Sequence, residues 1–424
     1  MALRLAVVGG GWAGLAAAVR ATRAGHHVTL YEMASQLGGR ARSVNDGAEV
    51  LDNGQHILIG AYARTLALMG EVGVDLAAAF HRRPLELRYP DGRGLRMPPG
   101  PAWLGFTRAV LGCQGWTGRD RRRLLFTASR WALSRFRCAP ELTVAQLCRE
   151  LPAAVRELLI DPLCIAALNT PAAQASAAVL LRVLRDALFG GRGSADLLLP
   201  RLPLSALLPQ PAAAWLRQEG AELRLGCRVQ ALHRDAAGWQ IDGEAFDAVV
   251  LACSAAEAAR LAQPWAPAWS WHAQQLTYEP IVTVWLRCPG ARLPAPMMAL
   301  AEGPQAPAQF AFDLGALGAA PGLFSFVVSG ARRWVDAGLQ ATAAAVLEQA
   351  QQAFAPATWP GTPTLLHVRA EKRATFRCTP GLDRPPPAIL PRLAAAGDYV
   401  DGPYPATLEG AVRSGEAAAS LSVR

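Results

Sequence analysis

The sequence predicts an α/β fold, on three observations. Leu3 to Val8 is an apolar run of strand length that stops at Gly9-Gly10-Gly11. Ala13 to Ala24 has the length and small-apolar content of a buried helix. His27 to Glu32 is a second apolar strand that ends on an acid. Strand-length runs on either side of a helical stretch make a βαβ unit, the opening of a Rossmann-like nucleotide-binding domain. At 424 residues the chain is longer than one ordinary domain, so a second domain interleaved with the first is expected.

The remaining elements follow in order. A strand-rich stretch with Pro and Gly turns runs to about residue 101. From there to about residue 192, apolar residues recur three and four apart, the spacing of a helical subdomain. Trp215 to Glu219 ends a helix, Gly220 turns the chain, and Glu222 to Leu225, Val229 to Arg234 and Ala248 to Cys253 read as strands. Residues 270–330 alternate in strand fashion, Ala337 to Phe354 is an Ala/Gln-rich helix, and the chain from Leu393 reads as strand, loop and helix. The expected division is a discontinuous nucleotide-binding domain (1–75, 205–260, 390–424) and an α+β substrate domain (76–204, 261–389), with its helical part at about 101–192.

Composition narrows the function classes. Hydrophobic residues make up 52% of the chain and charged residues 18%, so a large core is affordable and disorder is excluded. The net charge is +9, but Lys372 is the only lysine in an Ala-, Pro- and Gly-rich chain. That pattern is a compositional bias. With no recognition motif beside it, no nucleic-acid partner is expected. The eight cysteines show no CxxC spacing and no histidine pair has metal-ligand spacing, which predicts free thiols and no metal. Leu3 to Val19 has signal-like hydrophobicity, yet its glycines suit a nucleotide turn better. No apolar run reaches transmembrane length, so a cytoplasmic protein with at most peripheral membrane contact is expected.

The motifs define the ligand. In Gly9-x-Gly11-x-x-Gly14 the first glycine allows a tight turn, the second lets a pyrophosphate approach, and the third lets helix and strand pack closely. The helix start offers N–H groups and partial positive charge to the phosphates. Glu32 can accept from both hydroxyls of an unphosphorylated ribose. Leu37-Gly38-Gly39-Arg40 adds close backbone and a bidentate cation. Asp52-Asn53-Gly54-Gln55-His56, set between apolar flanks, is either a hairpin turn or a polar cluster facing a flavin ring. Backbone at Val229 can meet an adenine, and Asp398 a ribityl or phosphate-proximal hydroxyl. The helix opening near Leu408 can aim its N-terminus at the flavin N1/O2 edge. Together these residues predict FAD.

The motifs together resemble the FAD-dependent amine oxidase and carotenoid desaturase superfamily over essentially the whole chain. Five segments are more specific: Leu51 to Gly60 (LDNGQHILIG), Ala166 to Pro171 (AALNTP), Asp196 to Arg201 (DLLLPR), Glu371 to Phe376 (EKRATF) and Pro405 to Gly415 (PATLEGAVRSG). These resemble the bacterial hydroxysqualene dehydroxylases of hopanoid biosynthesis. Asp401-Gly402-Pro403-Tyr404 departs from the family's Thr-Gly-Leu run at that point.

The resemblance implies a polyprenyl substrate, hydroxysqualene, whose allylic hydroxyl leaves while reduced FAD delivers hydride. It also implies an electron donor that the sequence does not identify. Protonating the leaving group needs an acid, with His56 the first candidate, Lys372 the second and Tyr404 the third. A phytoene-type desaturase and a non-catalytic prenyl-binding carrier are the competing readings. An amine oxidase fits less well, because Tyr278 to Trp285, the strand expected beside the flavin, carries no lysine. A helix from about Arg119 to Arg137 would place Arg119, Arg123, Arg130 and Arg137 on one stripe, opposite Leu124, Ala128 and Trp131. Such a helix is expected to dock on the inner membrane face.

Overall fold

A computed structural model describes residues 2–46, 49–235, 238–354 and 359–422. Its organising element is a six-stranded sheet in the order Glu222–Leu225, His27–Glu32, Arg4–Val8, Ala248–Leu251, Leu393–Ala395, Ala388–Leu390. The first five strands are parallel and the last is antiparallel. Leu5 to Val8 and Ala248 to Leu251 are almost wholly buried. Such unbroken apolar runs are what a parallel sheet covered on both faces requires.

The first helix, Trp12–Arg23, crosses from Arg4–Val8 and packs against the C-terminal helix, Leu408–Ser422. The approach is as close as backbone allows: a Cβ on Gly415 would lie 2.1 Å from the Ala13 carbonyl oxygen.

A second, antiparallel sheet runs Met297–Ala299, Phe310–Asp313, Leu323–Val328, Tyr278–Arg287, Thr364–Phe376. Alternation along Tyr278–Arg287 sends Val282, Val284 and Leu286 into a core shared with Val346 and Ala350 of the Leu339–Ala353 helix. Ile281 and Thr283 face the other way, toward the first sheet. The helix expected at Ala337 to Phe354 is present as Leu339–Ala353, and Gly338, at φ +101°, separates it from a short preceding helix, Arg332–Ala337.

The helical region contains Ala102–Gly112, Gly118–Leu133, Asp161–Leu168 and Ala177–Phe189. Thr117 and Asp120 form a reciprocal capping box at the start of Gly118–Leu133. This helix ends at Leu133, so Arg137 of the stripe drawn from sequence lies beyond it, and the apolar residues opposite the arginines are not free to meet a membrane. Leu124 and Trp131 are buried in the subdomain, Arg123 is paired with Glu150 at 2.8 Å, and the exposed apolar residues are Phe126 and Leu133.

Candidate active site

A cavity of about 700 Å³ lies between the carboxyl ends of the parallel strands and the inner face of the antiparallel sheet. Open α/β sheets bind ligands at this end, beside the strand where the order reverses. Val8, Glu32 and Ala252 line it from the first sheet; Ile281, Thr283, Arg369 and Glu371 line it from the second. The register pairs Ile281 with Glu371 and Thr283 with Arg369.

The glycines have separate jobs. Gly9 has φ +111°, and a Cβ there would lie 2.6 Å from the Ala252 carbonyl oxygen. A Cβ on Gly14 would lie 1.8 Å from the Gly9 oxygen, so this glycine serves helix–strand packing. Gly11 differs: its nearest protein neighbour would be Gly39 Cα at 3.9 Å, and its open side is the cavity. Gly38 donates to Gly10 O at 2.8 Å, which seats the Gly38-Gly39 turn beside the first. The helix start at Trp12 has no capping side chain and no acid in its first turn. Its N–H groups and positive dipole end face the cavity without competition.

Glu32 is buried, accepts from Gly10 N at 2.7 Å and Ala34 N at 2.8 Å, and lines the cavity. Arg40 donates to the Ala374 carbonyl at 2.8 Å and pairs with buried Asp398, whose charge raises the guanidinium pKa further. Val229 and Leu408 also line the cavity. All ten cofactor-site residues expected from sequence (Gly9, Gly11, Gly14, Glu32, Gly38, Gly39, Arg40, Val229, Asp398, Leu408) are therefore at the cavity or packed directly behind it.

His56 is the one predicted acid that faces the cavity. Its Nδ1 lies 3.1 Å from Gly54 O, so Nδ1 carries a hydrogen toward that carbonyl and Nε2 is the nitrogen left to exchange a proton. Burial lowers the His56 pKa, the Gly54 bond opposes that in part, and Arg40 lowers it further.

The other two candidates are corrected by strand direction and packing. Arg369, Glu371 and Arg373 point inward, and Lys372, between them, is exposed and does not line the cavity. The only lysine of the chain is thus outside the site. Tyr404 also lies outside it, under the guanidinium of Arg413 at 5.0 Å. Burial and a hydrogen bond with Asp186 raise its phenol pKa.

Sequence reasoning missed Glu371 as a site residue and gave Asn53, placed in the Asp52 to His56 cluster, no role of its own. Asn53 Nδ2 donates to Arg40 O at 2.8 Å and to Glu371 Oε2 at 3.1 Å. The signal was present as two segments of the family resemblance, LDNGQHILIG and EKRATF, which the fold brings together. Another pair meets in a small sheet, where Leu58 and Ile59 pair with Leu198 and Leu197. Asn169, in AALNTP, ends its helix at φ +47°; its side chain donates to Glu279 O and Thr375 Oγ1 and accepts from Gly330 N.

The residues present fit FAD. Among buried side-chain polar atoms that lack a partner are Arg42 Nε, Asn53 Oδ1 and Tyr399 Oη, and all three residues line this cavity. Each such orphan costs about 1–3 kcal/mol unless a ligand satisfies it.

A phosphate-cradling βαβ unit, an acid for the ribose and a second sheet closing the cavity define a dinucleotide-dependent flavoprotein. A hydroxysqualene dehydroxylase of Rhodopseudomonas palustris is 32% identical, over 98% of this chain and 97% of that protein. The chain belongs to the flavin containing amine oxidoreductase family, whose profile matches residues 12–421, and within it to the hydroxysqualene dehydroxylases. It is an FAD-dependent oxidoreductase.

In the solved structures, cyclohexylamine oxidase from Brevibacterium oxydans superposes with TM-score 0.66 at 19% identity, over 99% of this chain and 98% of that one. A zeta-carotene desaturase of Synechocystis is 43% identical, but over only 17% of this chain and 15% of that protein.

Proposed function

We propose that this chain converts hydroxysqualene to squalene by reductive dehydroxylation, as a step of hopanoid biosynthesis. The observation that carries the reading is the full-length similarity to a hydroxysqualene dehydroxylase. A cavity without lysine supports it against amine oxidation.

The helix start at Trp12 would take the pyrophosphate and Glu32 the ribose. Arg40, Asp398 and the helix start at Leu408 would hold the flavin-proximal part. Bound FAD supplies, in its reduced form, a hydride equivalent to carbon. The chain's own residues handle the hydroxyl. Gly54 O fixes the His56 ring, and protonated His56 gives its Nε2 proton to the departing oxygen, which leaves as water. Ile57, Ala166, Ala167 and Ile281 give the cavity apolar walls; keeping bulk water away protects an allylic cation from capture.

No helix among the described residues is long and apolar enough to cross a membrane. We take the protein to be cytoplasmic and to meet its lipid at the inner face of the membrane. The external electron donor is a separate partner.

The test is anaerobic. Dithionite-reduced enzyme incubated with hydroxysqualene, and oxidised enzyme incubated with phytoene, should give product only in the first arm. Product in the second arm alone would replace this reading with a desaturase.

A further inference from the structure

The large apolar side chains left exposed are not spread evenly. Of the eight that are more than half exposed among the described residues, five (Trp103, Leu111, Phe126, Leu133 and Phe189) lie on three helices of the helical region, and Met33, Val50 and Trp271 lie elsewhere. Leu133 is 85% exposed. The charge is concentrated in the same place. Residues 101–192 hold thirteen arginines against six acids, a formal +7 of the chain's +9. A uniform preference for arginine would not place most of the net charge on less than a quarter of the chain.

Around Gly118–Leu133, at 100° per residue, Phe126 and Leu133 share one exposed face with Arg119 and Arg122. Neither of these arginines, nor Arg135 and Arg137 just beyond the helix, forms a salt bridge among the described residues. The next stripe of the helix, with Leu125 and Ala132, lines an apolar crevice of about 180 Å³. Trp103 and Phe189 also line it, and Phe136 meets the Phe189 ring at 5.5 Å. Leu163 of the Asp161–Leu168 helix lines this crevice, and Ala166 and Ala167, about one turn on, line the FAD cavity.

We propose that this face docks on an anionic lipid bilayer, and that the crevice is where a membrane-held lipid passes toward the cavity. Apolar side chains inserted between headgroups and unpaired arginines at the phosphates are the two forces that hold peripheral proteins on such surfaces. The docking surface stands on exposure and charge alone; the passage of lipid rests on the function proposed above.

Flotation of FAD-loaded protein with vesicles separates the two. Vesicles of phosphatidylcholine with about one third phosphatidylglycerol should carry the protein upward, pure phosphatidylcholine should not, and high salt should release it. Each basic residue near such a surface contributes about 1 kcal/mol, roughly fivefold in partitioning. Arg119→Gln with Arg122→Gln should therefore weaken binding about twenty-five-fold, and Phe126→Ser with Leu133→Ser should also release the protein.

Thermal unfolding and flavin content of both variants should match wild type, since none of these side chains is buried. Equal flotation with both vesicle types, flotation with neither, or unchanged flotation of both variants overturns the docking surface. So does a self-associated form in light scattering that the Phe126/Leu133 variant converts to monomer, because a second copy would then cover the face. If docking holds, the variants should turn over detergent-dispersed hydroxysqualene normally and vesicle-embedded hydroxysqualene slowly. Equal rates on both would overturn the passage, and no turnover by wild type in detergent would count against the proposed reaction while leaving docking intact.

Discussion

Asn53 donates through Nδ2 to Glu371 Oε2 at 3.1 Å, while its own Oδ1 is buried without a partner at the cavity. The two residues are 318 positions apart, one from each side of the cavity, so this bond joins the glycine-rich half of the site to the antiparallel sheet. Glu371→Ala should strand a donor of Asn53 and cost about 1–3 kcal/mol in urea unfolding. Glu371→Gln keeps an acceptor oxygen and should cost under about 1 kcal/mol. Equal losses would mean that the charge of Glu371, and not its acceptor, is what holds Asn53.

Gly11 and Gly14 should fail differently. A methyl at Gly14 meets the Gly9 oxygen at 1.8 Å, so Gly14→Ala should destabilise the apoprotein by about 1–3 kcal/mol or more. A methyl at Gly11 has open space in the protein and enters the cavity. Gly11→Ala should leave apoprotein unfolding nearly unchanged and lower bound FAD, read from absorbance of the purified protein. Wild-type flavin content in Gly11→Ala would move the pyrophosphate away from this turn.

His56 sets a pH dependence. Burial holds its pKa below the usual 6.5, so the imidazolium that can donate a proton is populated only as pH falls. The single-turnover rate should rise as pH is lowered through that pKa, and His56→Ala should be slower and lose the rise. General acid assistance is worth about 10²–10⁴-fold. A His56→Ala variant that keeps the acid limb would assign the proton to another group.

Asp52 carries a stability signature from a pKa shifted the other way, upward. Burial raises its pKa from 3.8 to about 6, against hydrogen bonds from Ser43 and Leu204 that lower it. A folded-state pKa above the unfolded one means stability that is fully present below about pH 3.8 and lost as pH rises through about 6. Asp52→Asn keeps an acceptor and removes the charge, so it should be more stable than wild type at pH 8, by about 1–3 kcal/mol, with the gap narrowing as pH falls through about 6 and closing only below about 3.8. No gap at pH 8 would mean the carboxylate is well solvated.

The nucleotide half of the site was legible because its chemistry is local. The strand, the glycines at 9, 11 and 14, the helix and Glu32 are consecutive, and backbone geometry restricts which residues can stand there. The Asp52 to His56 cluster could be located by its polarity, but its partners come from far along the chain. Glu371 faces the cavity and Lys372 faces solvent only because of the register of Thr364–Phe376 against Tyr278–Arg287. A one-residue step inverts such a strand, and composition had favoured the lone lysine. Tyr404 precedes the flavin-side helix in sequence, yet the Thr407-anchored turn before Leu408 keeps it outside. The arginine stripe of Gly118–Leu133 was legible in part: Arg119, Arg123 and Arg130 do lie opposite buried Leu124 and Trp131, but the helix ends before Arg137, and which apolar side chains stay exposed, Phe126 and Leu133, was decided by packing.

The most direct test of the account is the yield of squalene per reduced flavin. Enzyme loaded with FAD, reduced stoichiometrically and mixed anaerobically with excess hydroxysqualene, should form about one squalene per flavin as the flavin reoxidises, because each two-electron-reduced flavin delivers one hydride equivalent. Flavin that stays reduced with no squalene formed, or squalene formed without flavin oxidation, would contradict it.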